Sequence, residues 1–302
     1  MPGAHPSIPD ALVATTRDER GESGMEWLRR LPRIIRTCAR AWALDVGPPF
    51  DGLSYNYVAP ARRADGSAAV LKVCFPEPEF FSETEALRLF DGRASVRLLE
   101  SDVDRCALLV ERIRPGRPVS VLRDDVAETA AAAAVMRGLW RPPPASHAFP
   151  LARDWLSAAR DAKTLPATKA AYPWIEGLLE RAAHLASDGA PLMLLHGDLH
   201  HDNIISAERA PWLAIDPKGV VGEPAWEIAP FLFNNLPAGT GEARRLIRRR
   251  ADQLSDELSL DRARVYAWSA VRSLQSAFWS LRDSVRLREI AVMCAEELAR
   301  GP

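Results

Sequence analysis

Apolar and polar residues recur with two different periods along the chain, and the change of period divides it into parts. Between about residues 48 and 115, short apolar runs are separated by the turn sequences ADG, DGR and DVDR, which is typical of β-strands. One stretch in this region, EFFSETEALRLFDG, has apolar residues at helical spacing and ends at Gly92, so it predicts a helix. The resulting order is strand–strand–strand–helix–strand–strand, which predicts a small antiparallel sheet carrying one helix.

Helical periodicity prevails on both sides of this region. Residues 26–44 have an apolar stripe opposite a row of arginines, and we expect Pro32 to divide them into two short helices or to lie in the first turn of the second. Residues 1–24, rich in Pro, Gly and charge, are expected to form a loose lead-in. Beyond Gly116 the pattern predicts a larger, mostly helical part.

These patterns predict an α+β chain in three parts. Residues 1–47 would be a lead-in and helical extension, residues 48–114 a sheet with one helix, and residues 115–302 a helical part that carries the polar motifs described next. The length of 302 residues fits one large domain or two of medium size.

Charge and composition exclude several classes of function. The chain has 39 basic and 40 acidic residues, so it lacks the basic excess of a nucleic-acid-binding protein. No apolar run approaches the 18 residues that would suggest a membrane span, and the first residues do not resemble a signal peptide. Its four cysteines are far apart and form no CxxC pair. We therefore expect a cytoplasmic monomer with buried, reduced cysteines and a small-molecule partner.

The segment HGDLHHDN, residues 196–203, holds the densest group of chemically active side chains, and Asp216 follows in WLAIDPKG. Phosphoryl transfer from a magnesium nucleotide needs a carboxylate that accepts the proton of the attacking hydroxyl. It also needs an amide oxygen and a second carboxylate to hold the metal. Asp198, Asn203 and Asp216 supply these groups. The spacing between Asp198 and Asn203 equals that of the protein-kinase loop H-R-D-x-x-x-x-N.

The same segment allows other interpretations. His196, His200 and His201 with a carboxylate could form the zinc or iron site of a hydrolase. His196 could instead orient the loop through backbone hydrogen bonds, with the other two imidazoles at the surface. A kinase-like protein that binds nucleotide without turnover is a third possibility.

Two residues upstream favour the kinase interpretation. A kinase needs a lysine on the third strand of a small sheet, paired with a glutamate on the next helix. Lys72 lies in the predicted strand AAVLKVCF, and Glu83 follows eleven residues later, with Glu85 as the neighbouring candidate. The chain has four lysines against 35 arginines, and Lys72 is the only lysine among the first 162 residues.

Several motifs resemble those of the aminoglycoside phosphotransferases, and within them the streptomycin 6-phosphotransferase and hydroxyurea phosphotransferase group. The motifs are HGDLHHDNI, WLAIDPKGVVGEP, VRLLE with LLVERI, and VMRGLWRPPP, and the similarity of pattern extends from about Ile8 to Leu298. The resemblance implies a bilobal protein-kinase-like fold. It also implies Mg²⁺-dependent transfer of the ATP γ-phosphoryl group to the 6-hydroxyl group of streptomycin, which would inactivate the antibiotic. Hydroxyurea or another small hydroxyl compound is the alternative acceptor.

The resemblance also implies roles for individual residues. The nucleotide would be bound by Lys72, which Glu83 holds, by the hinge peptides from Glu111 to Ile113, and by the loop DGLSYN around Ser54. Asp198 would be the catalytic base, and Asn203 and Asp216 would bind Mg²⁺.

Acidic and aromatic residues of the helical part are the candidates for the acceptor site. A cationic acceptor needs acidic surfaces, for which Glu227 and Asp283 are candidates, with Trp279 as a stacking surface. The family usually has Asp at the position of Glu227, and the added methylene either preserves a charge that orients the loop or alters the site. Lys218, two residues after Asp216, either reaches the γ-phosphate or braces the loop, and we favour the bracing role.

Overall fold

The computed structural model describes residues 7–154, 174–279 and 285–302. The chain forms two compact units, which are joined in sequence between Arg114 and Pro115. The first unit is rich in β-strands and the second in helices, so the α+β class expected from the sequence is confirmed.

In its described residues, the first unit contains two helices and five strands. Its elements, in chain order, are α1 (Asp10–Ala41), β1 (Leu44–Val46), β2 (Tyr57–Arg63), β3 (Ala68–Val73), α2 (Pro78–Phe90), β4 (Leu98–Asp102) and β5 (Ala107–Glu111). The five strands form one antiparallel sheet with the strand order β1-β2-β3-β5-β4. Three strands, one helix and two strands therefore follow one another, in the predicted order. The first strand, Leu44–Val46, lies before residue 48, in the segment that was expected to be a helical extension, so the predicted start of the sheet is wrong.

The N-terminal segment is helical from Asp10, and the loose lead-in expected for residues 1–24 is wrong in this respect. The kink in α1 lies at Gly21, whose φ of 54° and ψ of −130° suit a residue without a side chain, and not at Pro32. A Cβ atom added to Gly24 would lie 2.6 Å from the carbonyl oxygen of Thr16, so glycine lets the two segments of α1 pack closely. This packing orders a segment whose composition alone suggested a loop.

The core of the first unit forms between α1 and one face of the sheet. Apolar residues of α1, including Leu12, Trp27 and Leu31, pack with Leu71 and Val73 of β3. Side chains alternate between the two faces of a strand, so Lys72 points to the face opposite α1. The position of the lysine is therefore a direct consequence of the burial of its two neighbours.

The second unit combines two small sheets with helices. The strands β6, β8 and β9 form one antiparallel sheet in the order β6-β8-β9, and β7 pairs with β10. The elements are β6 (Pro115–Pro118), a 3-10 helix (Val119–Leu122), α3 (Asp125–Leu139), α4 (Trp174–Ser187), β7 (Met193–Leu195), a 3-10 helix (His201–Asn203), β8 (Ile204–Ala207), β9 (Trp212–Ala214), β10 (Val220–Gly222), α5 (Pro224–Glu227), α6 (Ala229–Phe233), α7 (Thr240–Leu258), α8 (Arg262–Trp279) and α9 (Val285–Ala299).

All four cysteines are buried and unbridged. Among the residues that the structure describes, no helix combines the length and apolar character needed to cross a membrane.

Truncation of Leu31 tests whether α1 is part of the core. Leu31 is fully buried, and its replacement in Leu31→Ala leaves a cavity between α1 and the sheet, which should lower the free energy of unfolding by about 2–5 kcal/mol. Urea unfolding followed by tryptophan fluorescence measures this loss. Arg33→Ala, on the exposed side of the same helix, should change stability by no more than about 0.5 kcal/mol. Equal effects of the two substitutions would contradict the packing of α1.

Candidate active site

The first unit contains a buried ion pair between Lys72 and Glu83. Lys72 Nζ donates a hydrogen bond of 2.6 Å to Glu83 Oε1, and the two residues are only 6% and 5% exposed. Glu85, the alternative partner considered from the sequence, instead pairs at the surface with Arg88. The structure therefore pairs Lys72 with the glutamate that the spacing of eleven residues indicated.

The other residues expected at a nucleotide lie at the ends of strands in the same unit. Ser54 is in the loop that precedes β2, and Ile113 follows the end of β5. Glu111, the last residue of β5, donates its main-chain N–H to the carbonyl oxygen of Arg97 at 3.0 Å, and its side chain accepts the N–H of Arg97 at 3.0 Å. The N–H of Glu111 is thus engaged within the sheet.

In the second unit, the β8–β9 hairpin brings Asn203 and Asp216 to one end. Ile204 is paired with Ala214, and the N–H of Ile215 donates to the carbonyl oxygen of Asn203 at 3.0 Å. Asn203 therefore directly precedes β8, and Asp216 lies one residue beyond its partner Ile215. Asp216 has a φ of 56°, in the left-handed region, which turns the exposed side chain away from the course of the strand.

Asp198 is tied to this hairpin end through Asn203 and His196. Asn203 Nδ2 donates to the carbonyl oxygen of Asp198 at 2.9 Å. The N–H of Asp198 donates to His196 Nδ1 at 3.2 Å, and His196 Nε2 lies 2.8 Å from the carbonyl oxygen of Ile215. These partners assign the tautomer that carries its proton on Nε2. His196 thus links the loop to β9, which is the orienting role that the sequence left open.

The same bonds explain why His196 is neutral. The imidazole is completely buried, and burial lowers its pKa to about 4. Protonation of Nδ1 would also remove the acceptor of the Asp198 N–H. His196 therefore holds the loop as a neutral ring throughout the neutral pH range.

Glu227 was a candidate for the acceptor site and also for a charge that orients the loop, and its buried position agrees with the second role. Its side chain is fully buried, and its two carboxylate oxygens accept the main-chain N–H groups of His196, at 2.5 Å, and Gly197, at 2.9 Å. A carboxylate used in this way is not accessible to a substrate. Glu227 thus holds the first two residues of the segment 196–203, which we call the catalytic loop after its proposed role.

Opposing effects act on the charge of Glu227. Burial raises its pKa to about 8, whereas the two N–H donors and the guanidinium of Arg272 lower it. Because both oxygens accept hydrogen bonds from N–H groups, the geometry fits the ionised form. Arg272 itself is buried, which lowers its pKa to about 10, and it remains a cation at neutral pH.

Arg272 is a residue of this site that the sequence interpretation missed. Its guanidinium lies 5.0 Å from the ring centre of Trp226, and Nη2 is 3.5 Å from the carbonyl oxygen of Gly197. A signal was present: Arg272 lies in α8 next to the apolar residues Trp268 and Val271, and all three side chains are buried. A charged residue at a buried position of a helix indicates a specific partner.

The side chains of the other two acceptor candidates, Asp283 and Trp279, are outside the part of the chain that the structure describes. Asp283 lies outside the residues that the structure describes, and Trp279 is the last residue of α8 with its side chain outside the described part.

The interpretation of the histidines as a metal centre is not supported by the geometry. His201 is buried against Phe231, with ring centres 4.0 Å apart, whereas both ring nitrogens of His196 have partners in its own loop and β9. In the described ranges, the only group of three His, Cys, Asp or Glu side chains with converging ligand atoms is Asp125, Glu128 and His201. It does not contain His196 or His200.

In the group of Asp125, Glu128 and His201, two arginines already balance the negative charge of Asp125. The Arg250 guanidinium donates to Asp125 Oδ1 with both Nε, at 2.9 Å, and Nη2, at 2.5 Å, and Arg249 also contacts the carboxylate of Asp125. A dication would be repelled by two guanidinium groups at this distance. The group is better described as an ion-pair network that joins α3 to α7.

Comparisons with known proteins agree with the kinase interpretation. Residues 41–284 match the profile described as "Aminoglycoside/hydroxyurea antibiotic resistance kinase". The chain is 32% identical to the streptomycin 6-kinase of Streptomyces griseus, with 98% of both chains covered. It is 36% identical to the hydroxyurea phosphotransferase of Kitasatospora aureofaciens, covering 98% of this chain and 87% of that protein.

Solved structures share the fold at lower identity. The choline kinase LicA of Streptococcus pneumoniae superposes with a TM-score of 0.64 at 14% identity, covering 90% of this chain and 99% of that one. A thermostable aminoglycoside phosphotransferase APH(4)-Ia, in a ternary complex with ADP and hygromycin B, gives a TM-score of 0.62 at 16% identity, covering 88% and 97%. The protein-kinase-like fold is thereby confirmed.

Replacement of Glu227 by glutamine tests its role beneath the loop. The amide keeps the size of the side chain but turns an NH₂ group toward a main-chain N–H, which leaves a buried donor without an acceptor. Glu227→Gln should lower the free energy of unfolding by about 1–3 kcal/mol. Thermal and urea unfolding measure this change, and the exposed Glu208→Gln serves as the matched control. A Glu227→Gln protein as stable as the control would contradict the bracing role.

Proposed function

The chain belongs to the aminoglycoside/hydroxyurea antibiotic resistance kinase family, and from this premise we propose that it transfers the γ-phosphoryl group of ATP to the 6-hydroxyl group of streptomycin. Membership makes it a phosphotransferase of the aminoglycoside and streptomycin 6-kinase type, which acts on a hydroxyl group. The identity of the acceptor is the part of the proposal that experiment must decide.

One observation carries the proposal: a single hydrogen-bond network holds the proposed base and both proposed metal ligands. The side-chain amide nitrogen of Asn203 donates to the carbonyl oxygen of Asp198, and the main-chain carbonyl oxygen of Asn203 accepts the N–H of Ile215. Asp216 follows Ile215 directly. A base and two oxygen ligands in fixed mutual positions are what transfer of a phosphoryl group needs.

The residues present fit Mg²⁺ as the metal. Asn203 uses its amide nitrogen for Asp198, so the amide oxygen is the atom that can ligate a cation. With the exposed carboxylate of Asp216, it forms the set of hard oxygen ligands that Mg²⁺ prefers. When bound, Mg²⁺ would neutralise charge on the β- and γ-phosphates of ATP.

The first unit supplies the proposed nucleotide contacts. The ammonium of Lys72, oriented by Glu83, would bind the α- and β-phosphates. Because the N–H of Glu111 is used in the sheet, its carbonyl oxygen and the N–H of Ile113 are the proposed partners of adenine. Ser54, in the loop before β2, would lie over the phosphates.

The proposed chemistry at Asp198 is proton removal late in the transfer. The acceptor hydroxyl donates a hydrogen bond to the carboxylate, its oxygen bonds to the γ-phosphorus, and the bond from phosphorus to the bridging oxygen breaks. ADP leaves, and the hydroxyl proton passes to Asp198. The transition state is largely dissociative, so alignment of the hydroxyl matters more than the strength of the base.

Hydroxyurea is the second candidate acceptor, because a relative with that activity is 36% identical and the streptomycin 6-kinases are 32% identical. An ATP-consumption assay with streptomycin, hydroxyurea and further aminoglycosides separates these cases. Turnover with streptomycin supports the proposal, and turnover with hydroxyurea alone supports the second candidate. No turnover, together with tightly bound zinc and no thermal shift on addition of Mg-ATP, would instead favour a metal-dependent hydrolase. A Mg-ATP shift without turnover would favour a nucleotide-binding protein.

Removal of the proposed base should abolish most turnover and spare nucleotide binding. Asp198→Ala is expected to lower kcat by about 10²–10⁴-fold, because the hydroxyl loses the group that aligns and deprotonates it. Calorimetric titration with ATP should give a Kd close to that of the parent protein. Asp202→Ala, which removes an exposed aspartate from the same segment, is the control. Near-normal turnover of Asp198→Ala would exclude the assigned role.

Removal of the charge of Asp216 should weaken binding of the metal nucleotide. We choose Asp216→Asn because asparagine tolerates the positive φ of this position. The affinity for Mg-ATP should fall at least about tenfold, equivalent to about 1.4 kcal/mol, while the affinity for ATP without Mg²⁺ should not decrease. Calorimetry in Mg²⁺ and in EDTA measures both values, with the exposed Asp104→Asn as control. An unchanged affinity for Mg-ATP would count against Asp216 as a ligand.

A further inference from the structure

Within the second unit, a lysine lies beside the proposed catalytic base. Lys218 Nζ is 4.0 Å from Asp198 Oδ2, and the two side chains are 29% and 31% exposed. The ammonium is thus close to the carboxylate and remains partly accessible to a bound substrate.

The main chain keeps this lysine in place. The N–H groups of Lys218 and Gly219 both donate to the carbonyl oxygen of His196, at 2.8 and 3.1 Å. Gly197 has a φ of 90°, and a Cβ atom added to it would lie 2.8 Å from Val220 Cγ2 and 3.3 Å from Lys218 Cβ. The two segments therefore approach closely because residue 197 is a glycine, and the lysine stem starts next to the catalytic loop.

We propose that Lys218 is a further catalytic residue, whose ammonium contacts the oxygens of the γ-phosphoryl group during its transfer. This inference rests on the proposed function, since it concerns the same reaction. It departs from the bracing role that we expected from the sequence.

The distance to Asp198 supports this assignment. The acceptor hydroxyl must lie within about 2.6–3.2 Å of the Asp198 carboxylate and about 3–3.5 Å from the phosphorus that it attacks. The phosphoryl oxygens are therefore within a few ångströms of the carboxylate, which is the region that the flexible Lys218 stem reaches. Negative charge spreads over these oxygens in the transition state, where a cation already in place stabilises it.

A purely bracing role explains the geometry less well. The catalytic loop is already held by the Glu227 carboxylate and by the main-chain bonds to His196. An ion pair between partly exposed groups at 4.0 Å adds little to this, since such pairs contribute about 0–1 kcal/mol.

The choice of lysine also fits a phosphoryl contact. The chain uses arginine for 35 of its 39 basic residues, yet the two lysines within the described ranges are Lys72 and Lys218. A guanidinium beside Asp198 would bind both oxygens of the base in a planar pair. An ammonium leaves the carboxylate accessible to the acceptor hydroxyl and offers its charge from a flexible stem.

Steady-state and single-turnover kinetics of Lys218→Met test the proposal, with the acceptor on which the parent protein is active. We expect kcat and the single-turnover rate to fall about 10²–10³-fold, as for loss of one preorganised donor to a developing anion. KM for ATP, KM for the acceptor and the unfolding temperature should stay close to the parent values. The exposed Arg33→Met is the control for loss of one positive charge.

Chemical rescue separates catalysis from bracing. In Lys218→Ala, added methylammonium should restore part of kcat in a saturable manner, because the small cation can occupy the position of the lost ammonium. A Lys218→Met protein with kcat within threefold of the parent would overturn the proposal. A lower kcat that comes with a lower unfolding temperature, and that methylammonium does not restore, would also overturn it. If the parent protein transfers phosphate to no acceptor, the proposed function itself fails, and this inference fails with it.

Discussion

The buried carboxylate of Glu227 is the constraint on which the geometry of the proposed active site depends. It accepts the N–H groups of two consecutive residues, His196 and Gly197, and so fixes the direction in which the chain leaves β7. A fully buried carboxylate is costly unless hydrogen bonds and a cation compensate it, and here main-chain donors and the nearby Arg272 do so. These N–H groups donate to a side chain of α5, which is distant in sequence. The loop therefore does not depend on its own short-range hydrogen bonds alone.

From Glu227, hydrogen bonds extend within the second unit to Asp198, Asn203 and Lys218. His196 reaches β9 through its ring, and Asn203 joins the Asp198 carbonyl to the same hairpin. The carbonyl oxygen of His196 accepts the main-chain N–H of Lys218, and this bond places the Lys218 ammonium beside the carboxylate of Asp198. A displacement of the first two residues of the loop would therefore move the proposed base, a proposed metal ligand and the lysine together. Such rigid positioning is what the proposed phosphoryl transfer needs.

Part of the site was predictable because its signals are local. Alternation along β3 buries Leu71 and Val73 and turns Lys72 to the other face, and the helical spacing of α2 brings Glu83 within reach of the ammonium. Other predictions were wrong because they relied on residue type without knowledge of burial. Glu227 was assigned to the acceptor because it is acidic, and residues 1–24 were assigned to a loop because they are rich in Pro, Gly and charge.

By itself, the sequence determined the fold class, the order of strands and helices, and the segment that carries Asp198, Asn203 and Asp216. It also placed Lys72 on a strand, with Glu83 and Glu85 as the two candidate partners. Each of these follows from periodicity or spacing within a short stretch, or from motifs whose residues are adjacent. Only the tertiary structure decided that Glu227 lies beneath the loop, that Arg272 is buried beside it, and that α1 is ordered from Asp10. These features depend on contacts between residues far apart in the chain, where the burial of one group is set by the position of another.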